Sequence, residues 1–263
     1  MYQRILIGYR DTAGGRDALA LGTVLAQANK AEVILGMARA ENGETLAQLA
    51  QAQKADLVVV GASHRGGAGR VVPGATVGHL LGEAPCAVAV APAGFGRHEN
   101  GDSGWRPLSG DLEDAGLRVV GVGYDGTDPS GEALKTAVDL AVPNGAALRV
   151  YTVARKYAQA PGGDGREPEV PTEAEVLRGM LHEVVATLPP EVRALPVFLR
   201  GFAADELVEA SEAGVDLLVL GSRGGGPIRR LLHHSVTSAV IQRVKCPVLI
   251  SPTGVKAPTA ALA

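Results

Sequence analysis

Asp216-Leu217-Leu218-Val219-Leu220-Gly221-Ser222-Arg223-Gly224-Gly225-Gly226-Pro227 opens on an acid, runs through consecutive aliphatics and breaks into glycine. An unbroken aliphatic run with no polar alternation describes a strand buried on both faces, and the glycines after it describe a turn. The same construction stands 160 residues earlier as Asp56-Leu57-Val58-Val59-Val60-Gly61. Carried on, Asp56–Pro92 lies on Asp216–Pro252 without a gap, with Asp56, Leu57, Val59, Gly61, Gly66, Arg70, Cys86, Val88 and Pro92 meeting identical residues. Earlier in the chain the working shift is 115, which sets Gly8, Tyr9, Thr12, Ala18, Leu19, Leu25, Ala26, Asn29 and Ala31 on Gly123, Tyr124, Thr127, Ala133, Leu134, Leu140, Ala141, Asn144 and Ala146. The difference, 160 − 115 = 45, is chain present in the second copy and missing from the first. A repeat of this size is a whole domain, well above the periods of solenoids.

Read outward from the quoted stretch, the second copy alternates strand and helix. Val119–Tyr124 is a strand ending in Asp125-Gly126-Thr127, and Asp128-Pro129 opens a helix, with Asp as N-cap and Pro at the first helical position. Leu148–Val153 is a strand, Tyr157–Pro171 a loop rich in Gly, Pro and charge, and Thr172–Leu188 a helix. Leu195–Arg200 reads as an edge strand because it contains Pro196. Ala204–Ala213 is a helix, Asp216–Leu220 a buried strand, Gly221–Pro227 a glycine-rich loop, Ser235–Val244 a helix and Pro247–Ser251 the last strand. This alternation predicts a doubly wound parallel sheet, Rossmann-like, with helices on both faces. The first copy carries strands near Arg4–Tyr9, Val33–Met37, Leu57–Val60 and Ala87–Ala91. Its helices lie near Gly15–Asn29, Glu44–Gln53 and Thr76–Glu83. It lacks one helix and one strand, the counterpart of about Arg155–Phe198; if that strand is an edge, its loss leaves a four-stranded sheet with an intact centre. The expected organisation is therefore two α/β domains in tandem, 1–93 and 117–252, with a linker over 94–116 that holds Trp105, and a tail over 253–263.

Composition narrows the function classes. The chain has 263 residues, 46% hydrophobic and 20% charged, enough for two modest domains. A net charge of −3 and 3% aromatics leave neither the electrostatic nor the stacking surface of a nucleic-acid binder. No apolar run reaches the length of a membrane helix. Met1 leads straight into an apolar strand without the layout of a signal peptide, so a cytoplasmic location is expected. Cys86 and Cys246, at equivalent positions, read as small buried apolar residues rather than a disulfide or a metal pair. His233-His234 lacks the further ligands a metal site needs. No Ser/His/Asp or Cys/His set, and no paired carboxylates, suggest a catalytic centre, so an enzyme on this fold is a third reading without residues to carry it.

Two features could hold a ligand. Gly221-Ser222-Arg223-Gly224-Gly225-Gly226 allows backbone N–H groups close to an anion, and Ser235 starts the next helix, whose N-terminus suits phosphate. A glycine turn followed by a serine N-cap accounts for the same residues. Asp125 ends the first strand of the copy. In a doubly wound sheet that strand neighbours the fourth, so Asp125 and Gly221 would line one crevice. Asp125 can accept hydrogen bonds from a base or ribose there, or simply cap the turn.

The spacing Gly221-x2-Gly224-x9-His234-Ser235, followed by Cys246-Pro247-Val248-Leu249-Ile250, resembles the universal stress protein family. So do the openings of the copies, Arg4-Ile5-Leu6-Ile7 and Val122-Gly123-Tyr124-Asp125-Gly126-Thr127. The resemblance covers nearly the whole chain as two domains in tandem. It implies a stress-response regulator whose second domain binds ATP or another adenine nucleotide, with Mg as an accompanying ion. Gly221, Gly224 and Ser235 would then hold the phosphates, Asp125 would read the adenine end and Val153 would contact the base. His234 stands where the family has Gly, so its side chain crowds or contacts a phosphate. In the first copy Gly61 and Gly74 match, but His64, Ala75 and Arg10 depart from the pattern, and no conventional ATP site is expected there. Any turnover would be slow hydrolysis, since no general base is evident. The resemblance also implies an intramolecular pseudo-dimer in which Ala87–Ala91 and Pro247–Ser251 pair, and it leaves a further homodimer open. The alternative is a non-nucleotide-binding interaction protein of the same fold.

Overall fold

The computed structural model of the chain describes residues 2–37, 45–62, 75–96, 116–155, 172–222 and 236–253. The elements run β1 (Arg4–Gly8), α1 (Ala13–Asn29), β2 (Glu32–Gly36), α2 (Leu46–Ala52), β3 (Leu57–Gly61), α3 (Ala75–Glu83) and β4 (Ala87–Ala91). The second copy follows as β5 (Val119–Gly123), α4 (Asp128–Ala141), β6 (Ala147–Ala154), α5 (Glu173–Ala186), β7 (Arg193–Arg200), α6 (Ala203–Glu212), β8 (Leu217–Ser222), α7 (Val236–Ile241) and β9 (Val248–Pro252).

The nine strands form one sheet in the order β2-β1-β3-β4-β9-β8-β5-β6-β7. Within each copy every pair is parallel, as β-α-β crossovers require. The exception is the seam, where β4 meets β9 antiparallel with Val88 opposite Ile250, Ala89 opposite Leu249 and Val90 opposite Val248. The two last strands thus pair within one chain. In the second copy β7 is the outer edge, and Pro196 sits there opposite Val150 with no further strand beyond it. Among the described residues the first copy has no counterpart of α5 and β7, so β2 becomes its edge and the centre of its sheet is intact.

Two apolar layers hold the sheet. On one face the described helices are α1, α4 and α5, which bury Leu21, Leu25, Leu134, Leu140 and Leu181 against Ile5, Ile7, Val120, Val122, Leu148 and Leu217. On the other, α2, α3, α6 and α7 bury Leu46, Leu80, Leu207, Val240 and Ile241 against Leu6, Val58, Val60, Leu218 and Leu220. The alternation of these two sets along each strand is the physical content of the unbroken aliphatic runs. Both cysteines lie in the second layer, buried and unbonded to each other. Burial, with a smaller push from Asp56 at Cys86 and from Asp216 at Cys246, raises each thiol to about 12.

Several identities between the copies have a backbone reason. Asp56 accepts from the N–H groups of Gln3 (2.7 Å) and Arg4 (3.0 Å), and Asp216 accepts from those of Arg118 and Val119 (both 2.8 Å). Each acid ties the start of its copy's first strand to the start of the aliphatic strand that follows the acid, β3 in the first copy and β8 in the second. The exit from β4 is held differently: the buried Asp17 of α1 accepts from the N–H groups of Gly94 (2.9 Å) and Gly96 (2.8 Å), with Phe95 buried between them. Most of the predicted linker, Trp105 included, lies outside the described residues, as does the whole predicted loop Tyr157–Pro171. Among the described residues no helix is long and apolar enough to cross a membrane.

Candidate functional site

The strand order reverses at β5. It pairs with β6 on one side and β8 on the other, while α4 packs on one face and α6 and α7 on the opposite one. A crevice at the carboxyl ends of such strands is where doubly wound sheets receive ligands. The registers locate three of the predicted residues there. Gly123 lies opposite Tyr151, which sets Asp125 and Val153 at matching distances beyond. Val122 lies opposite Val219, and Gly221 follows two residues on, in the last turn of the ladder toward β9 where it faces Ser251. Gly224, His234 and Ser235 lie outside the described residues.

The end of β5 is fixed by hydrogen bonds. Tyr124 N–H donates to Tyr151 C=O and Thr152 Oγ1 donates to Tyr124 C=O, both at 2.8 Å. Asp125 then takes up the turn: its Oδ1 accepts from Thr127 N–H (3.1 Å) and from Thr127 Oγ1 (2.6 Å), while its own N–H donates to Ser130 Oγ (3.3 Å). Ser130 Oγ in turn donates to Thr127 C=O at 2.8 Å. Gly126 sits at φ +78, a conformation glycine adopts without strain, and a Cβ there would meet Met180 of α5 at 2.4 Å. The turn is therefore roofed by α5, an element without a counterpart among the described residues of the first copy.

The sequence expectation that Asp128 caps α4 is corrected. Thr127 is the N-cap, Asp128 lies in the first turn, and Thr127 makes no side-chain cap hydrogen bond. Its hydroxyl instead donates to Asp125 Oδ1. The first copy shows the contrast. Arg10 stands where Asp125 does, and the equivalent Thr12 is released to cap α1 by accepting from Gly15 N–H at 3.1 Å. Gly15 replaces Ser130 because a Cβ there would stand 1.8 Å from the Arg10 carbonyl oxygen. The N-cap threonine of the second copy thus donates to a carboxylate at the crevice, and that of the first accepts from its own helix.

On the β8 side, Gly221 C=O accepts from Thr237 Oγ1 at 3.0 Å, fixing the start of α7 against the strand end. Ser222 C=O accepts from Thr253 N–H (3.3 Å) and Oγ1 (2.6 Å). Gly221 also abuts the first turn of α4, where an added Cβ would lie 2.2 Å from Pro129 C=O. Val153 is partly buried among the residues of the α6–α7 layer. Thr127, Ser130 and Thr237 were not singled out in the sequence. The hydroxyls of Asp125-Gly126-Thr127-Asp128-Pro129-Ser130 were the signal available for the first two. Among the described residues no group of three or more His, Cys, Asp or Glu side chains could hold a metal ion.

Comparison with known proteins agrees with this architecture. The family model described as "Universal stress protein family" matches residues 37–92 and 116–252. The chain belongs to the universal stress protein family. Universal stress protein YxiE of Bacillus subtilis (strain 168) is 32% identical over 142 residues, which cover 49% of this chain and 95% of that protein. A universal stress protein from Archaeoglobus fulgidus DSM 4304 has the same fold along almost the entire length. It covers 95% of this chain and 96% of its own, with a TM-score of 0.59 at 15% identity. A universal stress protein solved in complex with cAMP is 28% identical, covering 52% of this chain and 98% of that chain, with a TM-score of 0.40. YxiE is thus matched by about half of this chain, whereas the Archaeoglobus protein spans both copies.

Proposed function

We propose that this universal stress protein is a stress-response regulator that binds an adenine nucleotide, ATP in the first instance, in the crevice of its second copy. The observation that carries the reading is the convergence of Asp125, Val153 and Gly221 at the carboxyl ends of β5, β6 and β8, where the strand order reverses. The carboxylate of Asp125 is held by Thr127 in a fixed orientation, which suits recognition of a base or ribose. Val153 offers an apolar contact for the ring. Gly221, Gly224 and Ser235 form the phosphate loop by their spacing, with His234 beside them. Mg would arrive with the phosphates rather than on a protein cage, in keeping with its habit of binding through one or two carboxylates and substrate phosphates.

In this reading 1–93 and 117–252 act as the two halves of an intramolecular pseudo-dimer in the cytoplasm, and the shortened half serves as the partner rather than as a second site. Arg10 in place of Asp125, and the released Thr12 cap, support that division. The test is calorimetric titration of ATP into the full chain and into Gly224→Val. Saturable heat from the wild type that disappears in the variant is the expected result. Absence of saturable binding by the wild type would overturn the proposal. It would favour the second reading, an interaction protein of the same fold, for which the engagement of Asp125 Oδ1 within its own turn is the supporting observation.

A further inference from the structure

The missing helix and strand leave a mark on the first copy. With the shift of 115, Val33, Leu35 and Met37 correspond to Leu148, Val150 and Thr152. Those three are buried in the second copy, Leu148 and Val150 in the apolar layer closed by α5, with β7 completing the edge. In the first copy Val33, Leu35 and Met37 are 43%, 59% and 57% exposed. They form one row because alternate residues of a strand share a face.

Among the described residues no strand pairs with the outer side of β2. Glu32 N–H donates to Gln3 C=O, and Gly36 C=O accepts from Tyr9 N–H, so Glu32, Ile34 and Gly36 turn their peptide groups toward β1. Successive residues alternate, and the N–H and C=O groups of Val33 and Leu35 point outward from the sheet. Edges of this kind are usually blunted by Lys, Pro or a bulge. Glu32-Val33-Ile34-Leu35-Gly36-Met37 contains neither Lys nor Pro. The opposite edge is protected: β7 carries Pro196 and begins and ends on Arg193 and Arg200.

We infer that β2 is the docking edge for a second copy of this chain, pairing β2 antiparallel with β2 about a two-fold axis normal to the sheet. The geometry is self-complementary. With Leu35 opposite Leu35 of the second copy, Val33 falls opposite Met37 and the two apolar rows merge on one face. The outward peptide groups of Leu35 then form a hydrogen-bonded pair with their own symmetry mates. The chain already joins two sheets this way at the β4–β9 seam. Because only one of the two edges can accept a strand, assembly closes at two copies and does not propagate into a filament. A single strand and three side chains per copy fall below the roughly 800 Å² per partner of a stable interface, so the dimer is a weak one with a dissociation constant on the order of micromolar or above.

Sedimentation velocity of the full chain over a concentration series tests this, with Leu35→Lys as the disruptive variant and Leu195→Lys on the opposite edge as the control. Lys at the two-fold centre sets like charges directly opposite and is expected to weaken dimerisation by more than ~10-fold, while Leu195→Lys dimerises like the wild type. Leu35 is exposed enough for lysine to be tolerated, and a circular dichroism melt checks it. Should that variant fail to fold, Met37→Lys, beyond the end of the strand, gives the same readout. A wild type that stays monomeric at the highest concentration would overturn the inference, whether amide exchange finds the outer edge of β2 open or covered by another segment of the same chain. A dimer unaffected by these lysines would overturn it equally.

Discussion

The first glycine of the phosphate-loop spacing can be tested as a packing residue, separately from any ligand. A Cβ added at Gly221 would stand 2.2 Å from the carbonyl oxygen of Pro129 and 2.4 Å from its carbonyl carbon. Those atoms belong to the first turn of α4 and cannot swing aside as a flexible side chain would. Overpacking costs roughly 1–3 kcal/mol in general, and contact with backbone places Gly221→Ala at the upper end, about 3 kcal/mol. For a chain of this size that is a fall in melting temperature on the order of 6–12 °C. Gly61 supplies the comparison. It ends β3 as Gly221 ends the aliphatic run of β8, and its added Cβ would lie 1.9 Å from the carbonyl oxygen of Gly14 in α1. Gly61→Ala should therefore cost at least as much, although the first copy has His64 and Ala75 in place of the rest of the motif. Gly131, inside α4 with nothing within 4 Å of its added Cβ, is the control of opposite sign. Gly131→Ala should gain about 1 kcal/mol through helix propensity. Thermal and urea unfolding of the three variants without nucleotide is the assay. If Gly221→Ala melts with the wild type, the strand end and the helix do not approach as described. If it destabilises while Gly61→Ala does not, the shared packing explanation for this glycine fails.

Three further outcomes follow from the same geometry. Asp125→Ala removes the acceptor of two Thr127 hydrogen bonds and should cost about 1 kcal/mol. A double-mutant cycle with Thr127→Ala should then show a coupling of at least ~0.5 kcal/mol, and strict additivity would mean that the turn network does not persist in solution. Both thiols are raised to about 12 by burial, whereas an unfolded cysteine ionises near 8.5. The folded state keeps its thiol protons while the unfolded state releases them, so this contribution is complete below about pH 8.5 and is lost as pH rises toward 12. Urea midpoints should fall across that window, and Cys86→Ala with Cys246→Ala should flatten the fall; a pH profile unchanged by both substitutions would count against it. Lys30 ends α1 at φ 53, in the left-handed region, while exposed to solvent. Lys30→Gly should raise stability by about 0.5–1 kcal/mol, read as a higher urea midpoint.

Much of the fold was legible in the chain because its signals are local. Unbroken aliphatic runs beside glycine turns marked β3, β4, β8 and β9, and Pro196 marked β7 as an edge, since a residue without N–H cannot serve an inner ladder. Helix starts were less legible. Asp128 was expected to cap α4, yet Thr127 holds the N-cap position with its hydroxyl donated to Asp125, a contact that only the folded turn shows. That Asp125, Val153 and Gly221 stand at neighbouring strand ends was legible through the strand pattern. Thr127, Ser130 and Thr237 were not, because each acts through a partner brought close by the turn or by β8.

By itself the sequence determined that there are two copies, that the first has lost a helix and a strand, and which copy kept an acid at the end of its first strand. Those facts are properties of residue type and order. Tertiary structure decided how the loss is felt. Val33 and Leu35 read like any strand residues until the sheet order makes β2 an edge and leaves the α5 position above it without a counterpart among the described residues. The reason is that burial belongs to a pair of surfaces: a strand's sequence states that it has an apolar face, and only the assembled layers state whether anything covers it.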